Sequence, residues 1–249
     1  MIDFSGRTAL VTGGGSGIGA AICAVLAEQG ALSVVADLDA AAAESTAAAI
    51  RSKGDRAEAL DFDVTDDAAC RTAVESVRDA HGGLDVLVTC AGWTLMHRLV
   101  DEEPDYWRRV VDVNLLGTVQ PVAAALQVMV DQGGGAIVTI ASEAGRIGTP
   151  GQAMYAGAKG GVIAFTKSVA REVARHGIRA NAVSPGITDT PLMQGQDPAD
   201  MAKFLRGVPL RRLARPEEIA AGVAFLASGA ASFVTGEVLS VSGGLSMAG

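Results

Sequence analysis

The sequence predicts an α/β fold: a doubly wound, mostly parallel sheet with helices on both faces, in a single domain over 1–249. Three observations predict it. Short apolar runs such as RTALVT at Arg7–Thr12 and LDVLVT at Leu84–Thr89 lack the strict alternation of half-exposed strands, which suits strands covered on both faces. These runs alternate with stretches of helical length from one end of the chain to the other. A glycine-rich turn joins the first run to the first helical stretch.

Taken in order, Arg7–Thr12 is a buried strand and Gly17–Gln29 a helix. Leu32–Asp37 is a strand, Ala40–Lys53 an Ala-rich helix, Ala57–Phe62 a weaker strand and Asp66–Ala80 a helix. Leu84–Thr89 is a strand, followed by one long helix over Tyr106–Val130. Gly135–Ala141 is a strand, Met154–His176 a helix, Ile178–Val183 a strand, Pro216–Ala227 a helix and Val238–Val241 a last strand. The one irregular interruption is Ser184–Pro209, with four prolines and three glycines. An insertion of this kind, about 186–209, is expected to act as a substrate loop.

Composition narrows the function. Hydrophobic residues make up 49% and charged residues 19%, enough to bury a core and too apolar for disorder. The net charge of −8 and the absence of any basic run leave no electrostatic footprint for nucleic acid. Cys23, Cys70 and Cys90 are widely spaced, which is neither a disulfide framework nor a zinc pattern. His81, His97 and His176 show no ligand spacing, so no metal is expected. Neither a signal peptide nor a run of 18 apolar residues is visible, and a cytoplasmic protein without membrane contact is expected.

The turn Thr12-Gly-Gly-Gly-Ser-Gly-Ile-Gly19 places Gly13, Gly17 and Gly19 at the spacing G-x-x-x-G-x-G. Glycines there permit close backbone approach, and a pyrophosphate can sit at the helix N-terminus with Ser16 and Ile18 beside it. Asp37 ends the second strand, 24 residues after Gly13. Its carboxylate can accept hydrogen bonds from both hydroxyls of an adenosine ribose and would repel a 2′-phosphate. Leu38 follows where a phosphate binder would carry Arg. NAD is therefore expected over NADP. Asp63-Val64, after the third strand, is placed either to touch adenine or to cap the next helix.

Tyr155 and Lys159 lie four residues apart in a predicted helix and so share one face. A nearby cation favours a phenolate, which makes the pair a proton-transfer device for an alcohol or a carbonyl. With Thr12–Gly19, Asp63, Ala91-Gly92, Asn114, Ser142 and Pro185-Gly186 in this order and spacing, the whole chain resembles the short-chain dehydrogenase/reductase family, which has a Rossmann fold. The resemblance implies that Tyr155 is the general acid/base. It implies that Lys159 lowers the Tyr155 pKa and binds the nicotinamide ribose. Ser142 would polarise the substrate oxygen, and Asn114 would hold a water linking Lys159 to solvent. Pro185, Gly186, Thr188 and Thr190 would lie along the nicotinamide, and Ala91 and Gly92 beside the adenosine ribose. From chemistry alone Asn114 can equally be a buried amide bonded to backbone, and Ser142 a strand-end cap. Two positions depart from the family pattern. Cys90 stands in place of the usual Asn before Ala91-Gly92, and Thr188 in place of an aliphatic residue.

Pocket residues are expected among Trp93, Thr94, Leu95, Glu143, Ala144, Arg146, Gln152 and 188–204. Gly92-Trp93, Ile140–Ser142, Pro185–Thr190 and the tail Leu239–Met247 are similar to the 2-hydroxycyclohexanecarboxyl-CoA dehydrogenases. That similarity implies NAD-dependent interconversion of a secondary alcohol and a ketone on a β-hydroxyacyl-CoA, with Arg98, Arg146 or Arg206 meeting CoA phosphates. The chain also resembles 3-oxoacyl-carrier-protein reductases, against which Asp37 counts. A non-catalytic dinucleotide-binding regulator is the reading of another class. It would be expected to lose Tyr155, Lys159 or Ser142, and all three are present. The family resemblance further implies a homotetramer.

Overall fold

The computed structural model describes residues 2–193 and 204–247. Its sheet has seven strands: β1 Thr8–Thr12, β2 Leu32–Asp37, β3 Ala57–Asp61, β4 Val86–Thr89, β5 Gly135–Ile140, β6 Ile178–Pro185 and β7 Val238–Val241. Their order is β3-β2-β1-β4-β5-β6-β7, and all six neighbouring pairs are parallel. The helices are α1 Gly17–Glu28, α2 Ala40–Arg51, α3 Asp67–His81, α4 Pro104–Val111, α5 Gly117–Gln132, α6 Glu143–Ile147, α7 Ala153–Val173 and α8 Pro216–Ala227.

The core has two layers because the strands bury side chains on both faces. Phe4, Ile22, Leu26, Val35, Val88, Ile219 and Val223 form one layer beneath α1, α2 and α8. Leu10, Val34, Val74, Leu87, Val122, Met129, Ile137 and Val169 form the other beneath α3, α5 and α7. β1 and β2 are entirely or almost entirely buried, as their unbroken apolar character predicts. Asp39 caps α2 through Ala41 N and Ala42 N, and Asp66 caps α3 through Ala68 N and Ala69 N. The strand order reverses between β1 and β4, and the diverging connections open a crevice at their C-terminal ends.

Two elements differ from expectation. The helix expected over Tyr106–Val130 is α4, a π-helical turn at Asp112–Leu116, and α5. The Asn114 side chain explains the wider turn: its Nδ2 donates to Val110 O at 2.9 Å, taking the carbonyl that Asn114 N would bond in a regular α-helix. One step later Thr118 Oγ1 donates to Asn114 O at 3.1 Å. The combined run Pro104–Gln132 is also long and apolar enough to cross a membrane by length and composition; here Val122, Ala125, Val128 and Met129 face the core. The second difference is α6, which no helical period announces because it has only five residues. The substrate loop expected at about 186–209 lies partly outside the described residues.

Candidate active site

A cleft of about 590 Å³ runs along the C-terminal ends of the strands. At one end the glycine turn leaves β1. Gly14 N donates to Ala36 O at 2.8 Å and Gly15 N to Asp37 Oδ2 at 2.9 Å. Asp37 Oδ1 also accepts from Asp39 N at 3.1 Å, so the carboxylate that faces the cleft is held in place by the turn itself. A side-chain carbon at Gly19 would lie 1.9 Å from Gly13 O, so the turn folds over α1 only with glycine at that position. Ser16, the N-cap residue of α1, makes no side-chain capping bond. The first amide groups of α1 are left for an anion, which fits a dinucleotide pyrophosphate.

Gly13, Ser16, Gly17, Ile18, Gly19, Asp37, Leu38, Asp63, Val64, Ala91, Gly92, Pro185, Gly186, Thr188 and Thr190 all line this cleft, as do Ser142, Tyr155 and Lys159. Asp63 does not cap α3. Its Oδ1 accepts from Thr65 N and Thr65 Oγ1, both at 2.8 Å, which turns the chain toward the cleft wall. Cys90 cannot brace the strands as an Asn would, and Thr12 does so instead: its Oγ1 accepts from Cys90 N at 3.1 Å and Ala91 N at 3.3 Å. Burial pushes the thiols of Cys23, Cys70 and Cys90 up to about 12, so all three are packing residues and not thiolate nucleophiles.

The reacting end is assembled by α6 and α7. Ser142 closes β5 and caps α6, its Oγ accepting from Ala144 N at 3.1 Å. The cap and the site-facing reading are thus both true of one side chain. A side-chain carbon at Gly145 would lie 2.6 Å from the Lys159 backbone; this close crossing brings Ser142 beside Tyr155. Thr166 Oγ1 and Thr139 Oγ1, 2.8 Å apart, tie α7 to β5. Lys159 is buried and donates to Ile140 O at 2.8 Å, with Nζ 5.8 Å from the Tyr155 ring centroid.

The expected lowering of the Tyr155 pKa by Lys159 is not what the chain's own groups produce. Burial pushes the phenol up to about 12, with the Ser142 hydroxyl pulling the other way. Burial pushes Lys159 down to about 8. Desolvation penalises the charged form of each, and the ammonium is too far off along the ring to reverse it.

Asn114 does not line the cleft. Its amide brackets the loop after β4: Nδ2 donates to Trp93 O at 2.6 Å and Oδ1 accepts from Trp93 N at 3.2 Å. Tyr106 OH holds the same loop by donating to Leu95 O at 2.9 Å. Trp93 is thereby fixed as a cleft wall, with Arg109 Cζ 4.0 Å from its ring centroid. Thr94, Glu143, Ala144, Gln152, Met193 and Phe204 also line the cleft, whereas Leu95 and Arg146 do not. Arg146 turns toward the buried Glu143, with Nη1 3.8 Å from Oε1, so it is not placed to meet a phosphate. Residues 194–203 of the expected pocket lie outside the described residues. Met96, Arg109, Ile147 and Leu245 line the cleft unforeseen. Arg109 and Val113, four apart beside Asn114, could have been found from helical spacing; Leu245 lies in the tail string already singled out.

Residues 13–246 match a family model described as enoyl-(acyl carrier protein) reductase. The chain is 44% identical over 243 residues to the cis-4-hydroxycyclohexanecarboxylate dehydrogenase of Sinomonas cyclohexanicum, covering 97% of each chain. It is 42% identical over 248 residues to the (3R)-3-hydroxyacyl-CoA dehydrogenase of Mus musculus, covering 96% of each. A crystal structure of a short-chain type dehydrogenase/reductase from Mycobacterium marinum superposes with a TM-score of 0.94 at 36% identity, covering 99% of this chain and 98% of that one.

Proposed function

From the premise that this chain belongs to the short-chain dehydrogenase/reductase family and is a CH–OH oxidoreductase, we propose that it uses NAD to interconvert a secondary alcohol and a ketone on a β-hydroxyacyl-CoA of the 2-hydroxycyclohexanecarboxyl-CoA type. One observation carries the reading: Ser142, Tyr155 and Lys159 face a single cleft whose other end is closed by Asp37.

The bound dinucleotide supplies the hydride acceptor or donor. The glycine turn and the N-terminus of α1 hold its pyrophosphate, Asp37 its adenosine ribose, and Lys159 its nicotinamide ribose. Tyr155 takes the proton from the alcohol oxygen, and Ser142 donates a hydrogen bond to that oxygen as it becomes a carbonyl. Lys159 keeps a positive charge beside the relay. Trp93 and Leu245 exclude water from the carbon skeleton.

The relative named as a (3R)-3-hydroxyacyl-CoA dehydrogenase supports the β-hydroxyacyl-CoA, and the one named as a cis-4-hydroxycyclohexanecarboxylate dehydrogenase supports the hydroxylated ring. The carrier-protein reductase named by the family model and the relatives named as 3-oxoacyl-carrier-protein reductases favour a second reading, reduction of the ketone of a 3-oxoacyl group on a carrier protein; Asp37 speaks against the NADPH that such biosynthetic reductions commonly use. The assay is reduction of NAD and of NADP by cyclic and linear β-hydroxyacyl-CoA thioesters and by their carrier-protein counterparts. NAD-linked oxidation of the cyclic thioester is expected to be fastest. Equal or better turnover with NADP would overturn the role given to Asp37, and turnover surviving in Tyr155→Phe would overturn the relay.

A further inference from the structure

Glu143 follows Ser142 directly and is only 2% exposed, a rare place for a carboxylate outside the proton relay. Both its oxygens are taken by hydroxyls from the far end of the chain. Ser240 Oγ donates to Oε1 at 2.7 Å, and Ser246 Oγ donates to Oε2. Ser240 Oγ and Ser242 Oγ share a further hydrogen bond of 2.9 Å. Arg146 Nη1, which has no hydrogen-bond partner among the described residues, faces the same carboxylate from 3.8 Å. A buried carboxylate so paired is costly to remove from one side, because two hydroxyls and a guanidinium lose their partner together.

Between those serines the chain turns through Gly243 and Gly244, with φ of 62° and 87°. Gly243 O accepts from Leu210 N at 3.2 Å. The turn sends Leu245 into the cleft that Glu143 and Phe204 also line. Leu245 is therefore a wall of the substrate end whose position depends on the tail, and the tail is held by Glu143.

We propose that Glu143 is a specificity-determining positioning residue: by accepting from Ser240 and Ser246 it pins the C-terminal tail across the substrate end of the cleft, and the Leu245 wall so formed selects secondary alcohols on a compact apolar ring over those on an open chain. The inference rests on the alcohol-dehydrogenase reading above, and its preference for a ring on the cyclic substrate proposed there. It assigns Glu143 no contact with the reacting atoms.

The test compares wild type, Glu143→Ala, Glu143→Gln and Leu245→Ala, each with NAD. Cyclohexanol and 2-octanol serve as ring and open-chain probes, and amide hydrogen exchange is followed in residues 239–247. The ratio of kcat/KM for ring over chain alcohol is expected to fall about tenfold in Glu143→Ala and Leu245→Ala, mainly through a higher KM for the ring. Glu143→Gln, whose amide can still bond both hydroxyls, should stay within about threefold. Tail exchange should accelerate in Glu143→Ala and not in Leu245→Ala. Unchanged exchange in Glu143→Ala overturns the pin. Faster exchange with an unchanged ratio, or an equal loss of kcat for both alcohols, overturns the specificity role. If the wild type oxidises neither alcohol nor any thioester, the functional reading fails by itself. The pin and wall then stand or fall on exchange together with the affinity of the cleft for the apolar dye 1-anilinonaphthalene-8-sulfonate, which must weaken in both Ala variants.

Discussion

The same burial that makes the cleft penalises the charge of both Tyr155 and Lys159, moving them to about 12 and about 8, which leaves the phenol neutral and the ammonium still charged at pH 7. Alcohol oxidation needs the phenolate and ketone reduction the phenol. So kcat/KM for oxidation is expected to rise with pH, and that for reduction to fall, in parallel rate profiles; a flat oxidation profile from pH 6 to 10 would remove Tyr155 from the relay. Lys159 adds a stability signature. Its unfolded form binds a proton up to about pH 10.5 and its folded form only to about 8, so the unfolded state holds more protons between those values. Stability therefore rises with pH across that window, and the cost of the buried charge is felt in full below it. Lys159→Met should raise Tm by roughly 5 °C at pH 7 and lose that advantage by pH 10.5, while losing at least a hundredfold in turnover. Calorimetry at several pH values checks this. A Tm difference independent of pH would mean that burial of charge is not its source.

At the scale of elements, the glycine turn carries the sharpest prediction. Gly19→Ala would drive a methyl into Gly13 O, 1.9 Å away. It should weaken dinucleotide binding at least tenfold and lower Tm together, as measured by quenching of intrinsic fluorescence and by thermal melts. Retained affinity would mean that the turn has room it does not show. Much at this scale was legible in the sequence. Runs such as Leu32–Asp37 announce buried strands because six apolar-rich residues between turn signals match a strand and are too short for a helix, and Asp39 announces its cap. The break in the helix between Tyr106 and Val130 was not legible, because one extra residue in a turn barely alters an apolar period; its cause is a side chain, Asn114, competing with its own backbone. α6 is too short to display a period. The inward turn of Arg146 follows a carboxylate three residues before it, Glu143, whose burial, like the arrival of Leu245, depends on Ser240 at a separation of 97 residues, at which local pattern carries no information.

Across the whole molecule, β7 is an edge strand, and the surface around the end of α8 carries large apolar side chains: Phe225 is 38% exposed and Phe233 fully so. An apolar patch beside a sheet edge is commonly covered by another chain. Homotetramer formation is expected to cover it, along with the outer side of α5 at Ala123. Sedimentation should give about four times 25.2 kDa for the wild type and a smaller species for Phe233→Asp. A wild type sedimenting as a monomer would refute the tetramer.

The order of residues along the chain has a last consequence, for synthesis. The residues proposed to hold the adenosine and pyrophosphate, Gly13 to Gly92, leave the ribosome before Ser240, Leu245 and Ser246, which form the proposed substrate wall. A nascent chain can thus build the nucleotide cradle long before it can close on an alcohol. On the role proposed for Glu143, substrate selection waits until the chain has reached Ser246.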